Sequence, residues 1–178
     1  MSFEPLGQRA DGADAYVSRG AGYGLRVDPR GASIHVQAPS TEASERSATV
    51  RLEFVGSSNA AHVSGGAALP GKVNYLLGND PAKWRTGVPT FRDVRCSNVY
   101  PGVDVVYYGN QAQLEYDVVV APGADARQVR WQVQGAERLE LDARGDLVLH
   151  TSAGALRQHR PYIYQERNGR REEIAGRY

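Results

Sequence analysis

An all-β fold, an antiparallel sandwich with very little helix, is what this sequence predicts, and three observations predict it. Short runs with period-two alternation recur along the chain, as in Thr49–Val55, where Val50, Leu52 and Phe54 alternate with Thr49, Arg51 and Glu53. Gly, Asp, Asn and Pro cut these runs at intervals of about eight to twelve residues. No stretch carries helical periodicity, and no strand–helix–strand alternation asks for a parallel sheet. About a dozen such strands suit a sandwich, with two packed sub-sheets as one arrangement, and no fixed-period repeat marks propeller blades.

The elements follow in order. Ala15–Arg19 and Gly24–Asp28 are extended segments around the break Gly20-Ala21-Gly22. Ser33–Ala38 follows the turn Asp28-Pro29-Arg30-Gly31, where Pro presets one turn position and Gly supplies permissive backbone. Pro39 to Ser47 is polar, without apolar periodicity, and reads as a loop before the Thr49–Val55 strand. Gly56 to Gly71 is dominated by Ser, Gly and Ala and reads as a surface connection. Lys72–Leu77 is a short strand stopped by Gly78-Asn79-Asp80-Pro81, with one helical turn at Ala82–Arg85. Val88–Arg95 resumes as a strand whose Pro89 places it at an edge or a strand start. Then come Val103–Tyr108, Gln113–Val120, Gln128–Gln134, Arg138–Asp142, Leu147–Thr151, Leu156–Gln158 and Tyr162–Arg167. Ala143–Asp146 and Ser152–Gly154 are tight turns, and Asn168-Gly169 is the strongest hairpin signal, because both residues tolerate the positive φ of a type I′ turn.

The 178 residues are 41% hydrophobic and 23% charged, enough for an ordinary globular core. They read as a single β-rich domain over 1–178, with sub-halves 1–55 and 72–178 on either side of the connection at 56–71. Lys+Arg 21 against Asp+Glu 20 leaves a net charge of +1, and no basic block is interleaved with aromatics, so no nucleic-acid partner is expected. The longest apolar run, Val118 to Pro122, is too short to span a bilayer, and no signal peptide follows Met1. Cys96 is the only cysteine, which excludes an intrachain disulfide and reads as a small buried hydrophobe.

Tyr100 to Asp125 is a hairpin in outline, yet Asp104, Glu115 and Asp117 sit inside its strand runs, where acids are disfavoured. With Asn110 and Gln111 as the central turn residues, Val103, Val105, Tyr107, Leu114, Tyr116 and Val118 share a core face. Asp104, Val106, Tyr108, Gln113, Glu115 and Asp117 share the other, with Asp104 directly opposite Asp117. That like-charge pairing calls for a neighbouring cation, for which Arg92, Arg95, Arg157 and Arg160 are candidates. Beside Tyr108 the three carboxylates can grip sugar hydroxyls or supply an acid/base pair. No motif calls for a cofactor; Ca²⁺ is the one ion for which Asp104 and Asp117 offer ligands. The bland reading of the same residues is a solvated face crossed by Arg–carboxylate bridges.

A second candidate is the polar stretch around Trp84, where Asn79, Asp80 and Trp84 suit contact with a sugar or a peptide. In the bland reading Trp84 pins the loop onto the core while Asn79 and Asp80 cap a turn. His35, His62, His150 and His159 show no metal spacing, no G-x-S-x-G elbow occurs, and Gly20–Gly24 lacks the Lys and helix of a phosphate loop.

Several motifs form a familiar ordered series. Phe3-Glu4-Pro5-Leu6-Gly7-Gln8 resembles the opening of a domain at the start of bacterial proteins carrying SBBP (β-propeller) repeats, with Leu6 where that opening tends to carry Asn. Arg19–Tyr23, Leu69–Tyr75, Gly78–Thr86, Tyr100–Asp104, Val106–Gly109 and Leu114–Asp117 continue the resemblance over nearly the whole chain. It implies a β-rich domain excised from a larger, secreted or cell-surface bacterial protein, with downstream β-propeller repeats as its partner and no known activity. Two functions are carried forward. One is a non-catalytic module acting in adhesion, assembly or glycan and protein contact; the other is a glycan-active hydrolase using Asp104, Glu115 and Asp117.

Overall fold

A computed structural model of the chain describes residues 1–8, 14–38, 46–110, 113–176 and 178. By their contacts the described residues divide into two compact units, one of 1–36 with 49–134 and one of 37–48 with 135–178. The Ser/Gly-rich stretch 56–71 lies inside the first unit. Residues 39–45 of the expected polar loop lie outside the described residues.

The first unit is built from β1 (Glu4–Gln8), β2 (Asp14–Gly20), β3 (Tyr23–Asp28), β4 (Gly31–Gln37), β5 (Ser47–Phe54) and β6 (His62–Gly65). It continues with β7 (Ala68–Tyr75), β8 (Arg85–Phe91), β9 (Asp93–Tyr100), β10 (Val103–Asn110), β11 (Gln113–Val120) and β12 (Trp131–Gln134). A six-stranded sheet runs β1-β2-β3-β4-β5-β12, a four-stranded sheet runs β11-β10-β9-β6, and β7 with β8 makes a two-stranded ribbon.

Alternation explains why the two larger sheets pack. Leu25, Val27, Ala32 and Phe54 from the first meet Val63, Val94, Cys96, Val103, Val105 and Tyr107 from the second in one buried cluster. Leu114, Tyr116 and Val118 pack partly buried against it, so the core face predicted for the hairpin is the observed one. Aromatic rings connect the sheets: Trp131 of β12 lies 4.2 Å from Phe54 and 5.2 Å from Tyr116, which lies 5.8 Å from Tyr107. Such contacts contribute roughly 0.5–1.5 kcal/mol each beyond area burial. Cys96 is fully buried, and desolvation first, then the Asp28 charge, pushes its thiol up to about 12, so it is an inert core side chain.

Three differences from the expected elements have physical causes. The strand expected over Val88–Arg95 is two strands, because at Arg92 the chain leaves one sheet for another. Phe91 exchanges backbone hydrogen bonds with Phe3 (2.9 and 2.8 Å), whereas Arg92 N–H donates to Ala67 O at 2.8 Å and Asp93 begins the β10 partner. The expected connection contains β6, paired with β9 from His62↔Ser97 to Gly65↔Val94. Its composition hides it because Gly65 must be glycine: a Cβ there would meet the Phe91 ring at 2.6 Å. Gly109, just past the end of the expected Val103–Tyr108 strand, is itself a strand position under Met1, whose Cβ a Gly109 Cβ would meet at 2.4 Å.

The second unit holds β13 (Arg138–Leu141), β14 (Leu147–Thr151) and β15 (Gly154–Gln158) in one antiparallel sheet. A separate hairpin joins β16 (Ile163–Arg167) to β17 (Arg170–Ile174). Asn168 (φ 53) and Gly169 (φ 72) make the tight turn between the last two, as their dipeptide predicts. The hub of this unit is the buried Asp146 carboxylate, which accepts from Arg160 N–H (3.0 Å), His159 Nδ1 (3.1 Å) and Arg157 Nη1 (3.2 Å). Arg157 also donates to Asp142, which accepts Arg144 N–H at 2.8 Å and Asp146 N–H at 3.0 Å. Bonding to the Arg160 amide holds Asp146 below the usual carboxylate range, and the Arg157 side chain does the same for Asp142.

Two outcomes follow. Among the described residues the buried Tyr107 hydroxyl has no hydrogen-bond partner, so Tyr107→Phe is expected to raise unfolding free energy by up to about 1 kcal/mol, whereas Val105→Ala lowers it by about 2–3 kcal/mol, both read by urea denaturation. Because Asp142 and Asp146 are depressed in the fold, their stabilisation is present above about pH 4 and is lost as pH falls below that, through their folded-state values. Amide NMR signals of Val148 and Leu149 are therefore expected to lose dispersion below about pH 4; unchanged signals down to about pH 2 would contradict this.

Candidate functional site

Pairing between β10 and β11 places the three acids. The strands pair Asn110↔Gln113, Tyr108↔Glu115, Val106↔Asp117 and Asp104↔Val119. The expected Asp104–Asp117 pair is therefore wrong. Asn110 is a strand residue, not a turn residue, so the turn centre lies one residue later; Gln111 lies outside the described residues. Moving the turn centre by one residue displaces every partner by two positions, which keeps each side chain on its expected face while changing what it meets.

Asp104 serves the backbone. Between Val103↔Tyr100 and Val105↔Cys96 the partner strand β9 carries two extra residues, a bulge around Asn98, whose φ is 55. Asp104 Oδ1 accepts the Asn98 N–H at 2.9 Å, while Oδ2 accepts Arg95 Nε at 3.0 Å and lies 2.9 Å from Arg95 Nη2. The bulge lets consecutive residues Val99 and Tyr100 both turn inward, to 0% and 4% exposure. Arg95 is thus the cation expected near the acids. Arg157, another of the candidates, binds Asp142 and Asp146 instead.

Glu115 and Asp117 form a separate group with Tyr108. The Tyr108 hydroxyl donates to Asp117 Oδ1 at 3.1 Å, and Asn110 Nδ2 donates to Glu115 Oε1 at 2.9 Å. Desolvation, then the charge of Asp117, then that of Glu115 push the Tyr108 hydroxyl up to about 12. Asp104 and Asp117, the two calcium candidates, are not directly opposed. Among the described residues no three His, Cys, Asp or Glu side chains come together as a metal site requires.

Asn79, Asp80 and Trp84 lie in the loop between β7 and β8. Asp80 caps a 3₁₀ turn at Pro81–Lys83, its Oδ1 accepting Ala82 N–H at 3.1 Å, as its residue type predicts. Trp84 does not plug the core. It is 37% exposed and donates Nε1–H to Gly78 O at 3.1 Å, fastening the loop to itself. Asn74 Oδ1 accepts Gly87 N–H at 2.7 Å and braces the base of the loop. The loop tip holds Leu76 and Leu77, 57% and 74% exposed, which the sequence reading assigned to the end of a strand. Their signal was an apolar pair running directly into Gly-Asn-Asp-Pro.

The histidines also separate. His150 Nε2 lies 3.1 Å from Glu140 Oε2, and His159 contacts Asp146, so each belongs to a different ion cluster. No helix among the described residues is long and apolar enough to cross a membrane.

Fold and sites together define an all-β antiparallel module whose hairpin acids are engaged by its own side chains and backbone. The chain belongs to the family described as Domain of unknown function (DUF7948), whose model matches residues 3–178. No curated protein and no solved structure matches it.

The Tyr108 geometry gives an expected outcome. Its folded-state value is raised, so the stabilisation from its bonded hydroxyl is complete below about pH 10 and is lost as pH rises through about 12. In a spectrophotometric titration Asp117→Asn is expected to bring one tyrosine ionisation back toward the ordinary value of about 10. An unshifted titration would contradict the contact.

Proposed function

We propose that this domain is a non-catalytic contact module of a secreted or surface-associated bacterial protein, acting in adhesion or assembly through glycan or protein contact. The observation that carries the reading is the β7–β8 loop, which is ordered by its own hydrogen bonds while holding Leu76, Leu77 and Trp84 out to solvent. Exposed apolar side chains on a stiffened loop lose little entropy when a partner covers them, so they suit recognition. The motif series shared with the opening domain of SBBP-repeat proteins supports a parent in which β-propeller repeats follow. The alternative, glycan hydrolysis by carboxylates among Asp104, Glu115 and Asp117, is weakened at Asp104, whose two oxygens are occupied by Arg95 and the Asn98 amide.

Glycan arrays and a turnover assay on the same glycans test the reading. Binding is expected to fall at least tenfold in Leu76→Ser/Leu77→Ser and to stay unchanged in Glu115→Gln/Asp117→Asn. Glycan cleavage by the native chain that Glu115→Gln abolishes would overturn it in favour of the hydrolase.

A further inference from the structure

The last hairpin of the second unit stands apart from every other strand. Among the described residues β16 and β17 pair only with each other, and every residue from Gln165 to Ile174 is exposed. An isolated two-stranded hairpin is only marginally stable in water, so this ribbon gains from a further strand. Its strand β17 reads Arg170-Arg171-Glu172-Glu173-Ile174. Charges of one sign blunt a strand edge because they repel a copy of it. β17 instead runs from basic to acidic, so a parallel copy sets like against like, whereas an antiparallel copy sets opposite against opposite.

The backbone selects the register. A two-residue turn makes Arg167↔Arg170 the first pair to exchange both backbone hydrogen bonds, and the pattern alternates from there. Arg170, Glu172 and Ile174 thus turn their N–H and C=O groups to β16, while those of Arg171 and Glu173 point out from the edge. One two-fold antiparallel register matches outward group to outward group within the strand. It sets Glu172 against its own copy at the axis and pairs Arg171 with Glu173 of the copy on either side, each pair exchanging both of its backbone hydrogen bonds. Those two side chains then also meet as opposite charges. The opposed Glu172 side chains have Arg170 of each chain on the diagonal. These charges are available, since no ion pair engages Arg170, Arg171, Glu172 or Glu173 among the described residues. Arg171 lies over the Tyr164 ring at 4.5 Å, and exposed stacking of that kind is of the same order as a surface ion pair.

We propose that β17 pairs antiparallel with β17 of a second copy of this chain, joining the two hairpins into one sheet about a two-fold axis at Glu172. The contact is isologous, so it closes at two copies. A five-residue strand edge buries far less than a standard interface, so the dimer is a weak one that forms at high local concentration. Its formation does not depend on the contact role of the β7–β8 loop. Given that role as well, two joined copies carry two such loops and hold a repetitive partner with greater avidity.

NMR diffusion of the whole chain is expected to slow with concentration as monomer gives way to dimer, with a midpoint on the order of 0.1–1 mM. Arg171→Glu alone and Glu173→Arg alone are each expected to weaken association at least tenfold. An equimolar mixture of the two is expected to restore it, because each altered side chain then meets its opposite. Glu172→Cys reads the register. Directly opposed residues of a non-hydrogen-bonded pair have Cα atoms about 4.5 Å apart, within disulfide reach, and the native Cys96 is buried. In air Glu172→Cys is expected to cross-link two copies at least tenfold faster than Arg170→Cys, whose equivalents lie several residues apart in that register. A monomer at every concentration, a mixture as weak as its components, or equal cross-linking of the two cysteine variants would each overturn the proposal.

Discussion

The alternation of β10 is the constraint on which the first unit depends. Val103, Val105 and Tyr107 are 1%, 0% and 1% exposed, while Asp104, Val106 and Tyr108 stand on the opposite face. β10 is bonded on both sides, to β9 and β11, so its register fixes theirs. A slip by one residue would drive Asp104 and Tyr108 into the core and three apolar side chains into water. Each of those apolar groups contributes about 1.5–3 kcal/mol when buried, so no competing register comes close.

That constraint also accounts for acids inside strand runs. Asp104 stays because β9 bulges opposite it, and a carboxylate is the group that can accept both the freed Asn98 amide and the Arg95 guanidinium. Glu115 and Asp117 lie on the partly wet face of an edge strand, where Tyr108 and Asn110 bond them. Carboxylates committed to local structure leave recognition, in the contact reading, to the β7–β8 loop.

Much of this was legible in the sequence because period-two alternation and turn chemistry are local signals. Gln113–Val120 and Leu147–Thr151 match their strands end to end, and Asn168-Gly169 forms its turn. What was not legible depended on distant packing. Gly65 and Gly109 look like breakers, yet they are strand positions that make room for Phe91 and Met1. The sheet change at Arg92 answers to Phe3, far away in the chain. The site followed the same division: the face of each acid could be read, but its partner could not, because the centre of the turn moved by a single residue.

Native-state amide hydrogen exchange tests the account most directly. The Val105 and Tyr107 amides are expected to exchange only with global unfolding of the first unit, orders of magnitude more slowly than the exposed Arg170–Ile174 strand. If the β10 amides exchanged as fast as those of that strand, β10 would not be the element that holds the sandwich together.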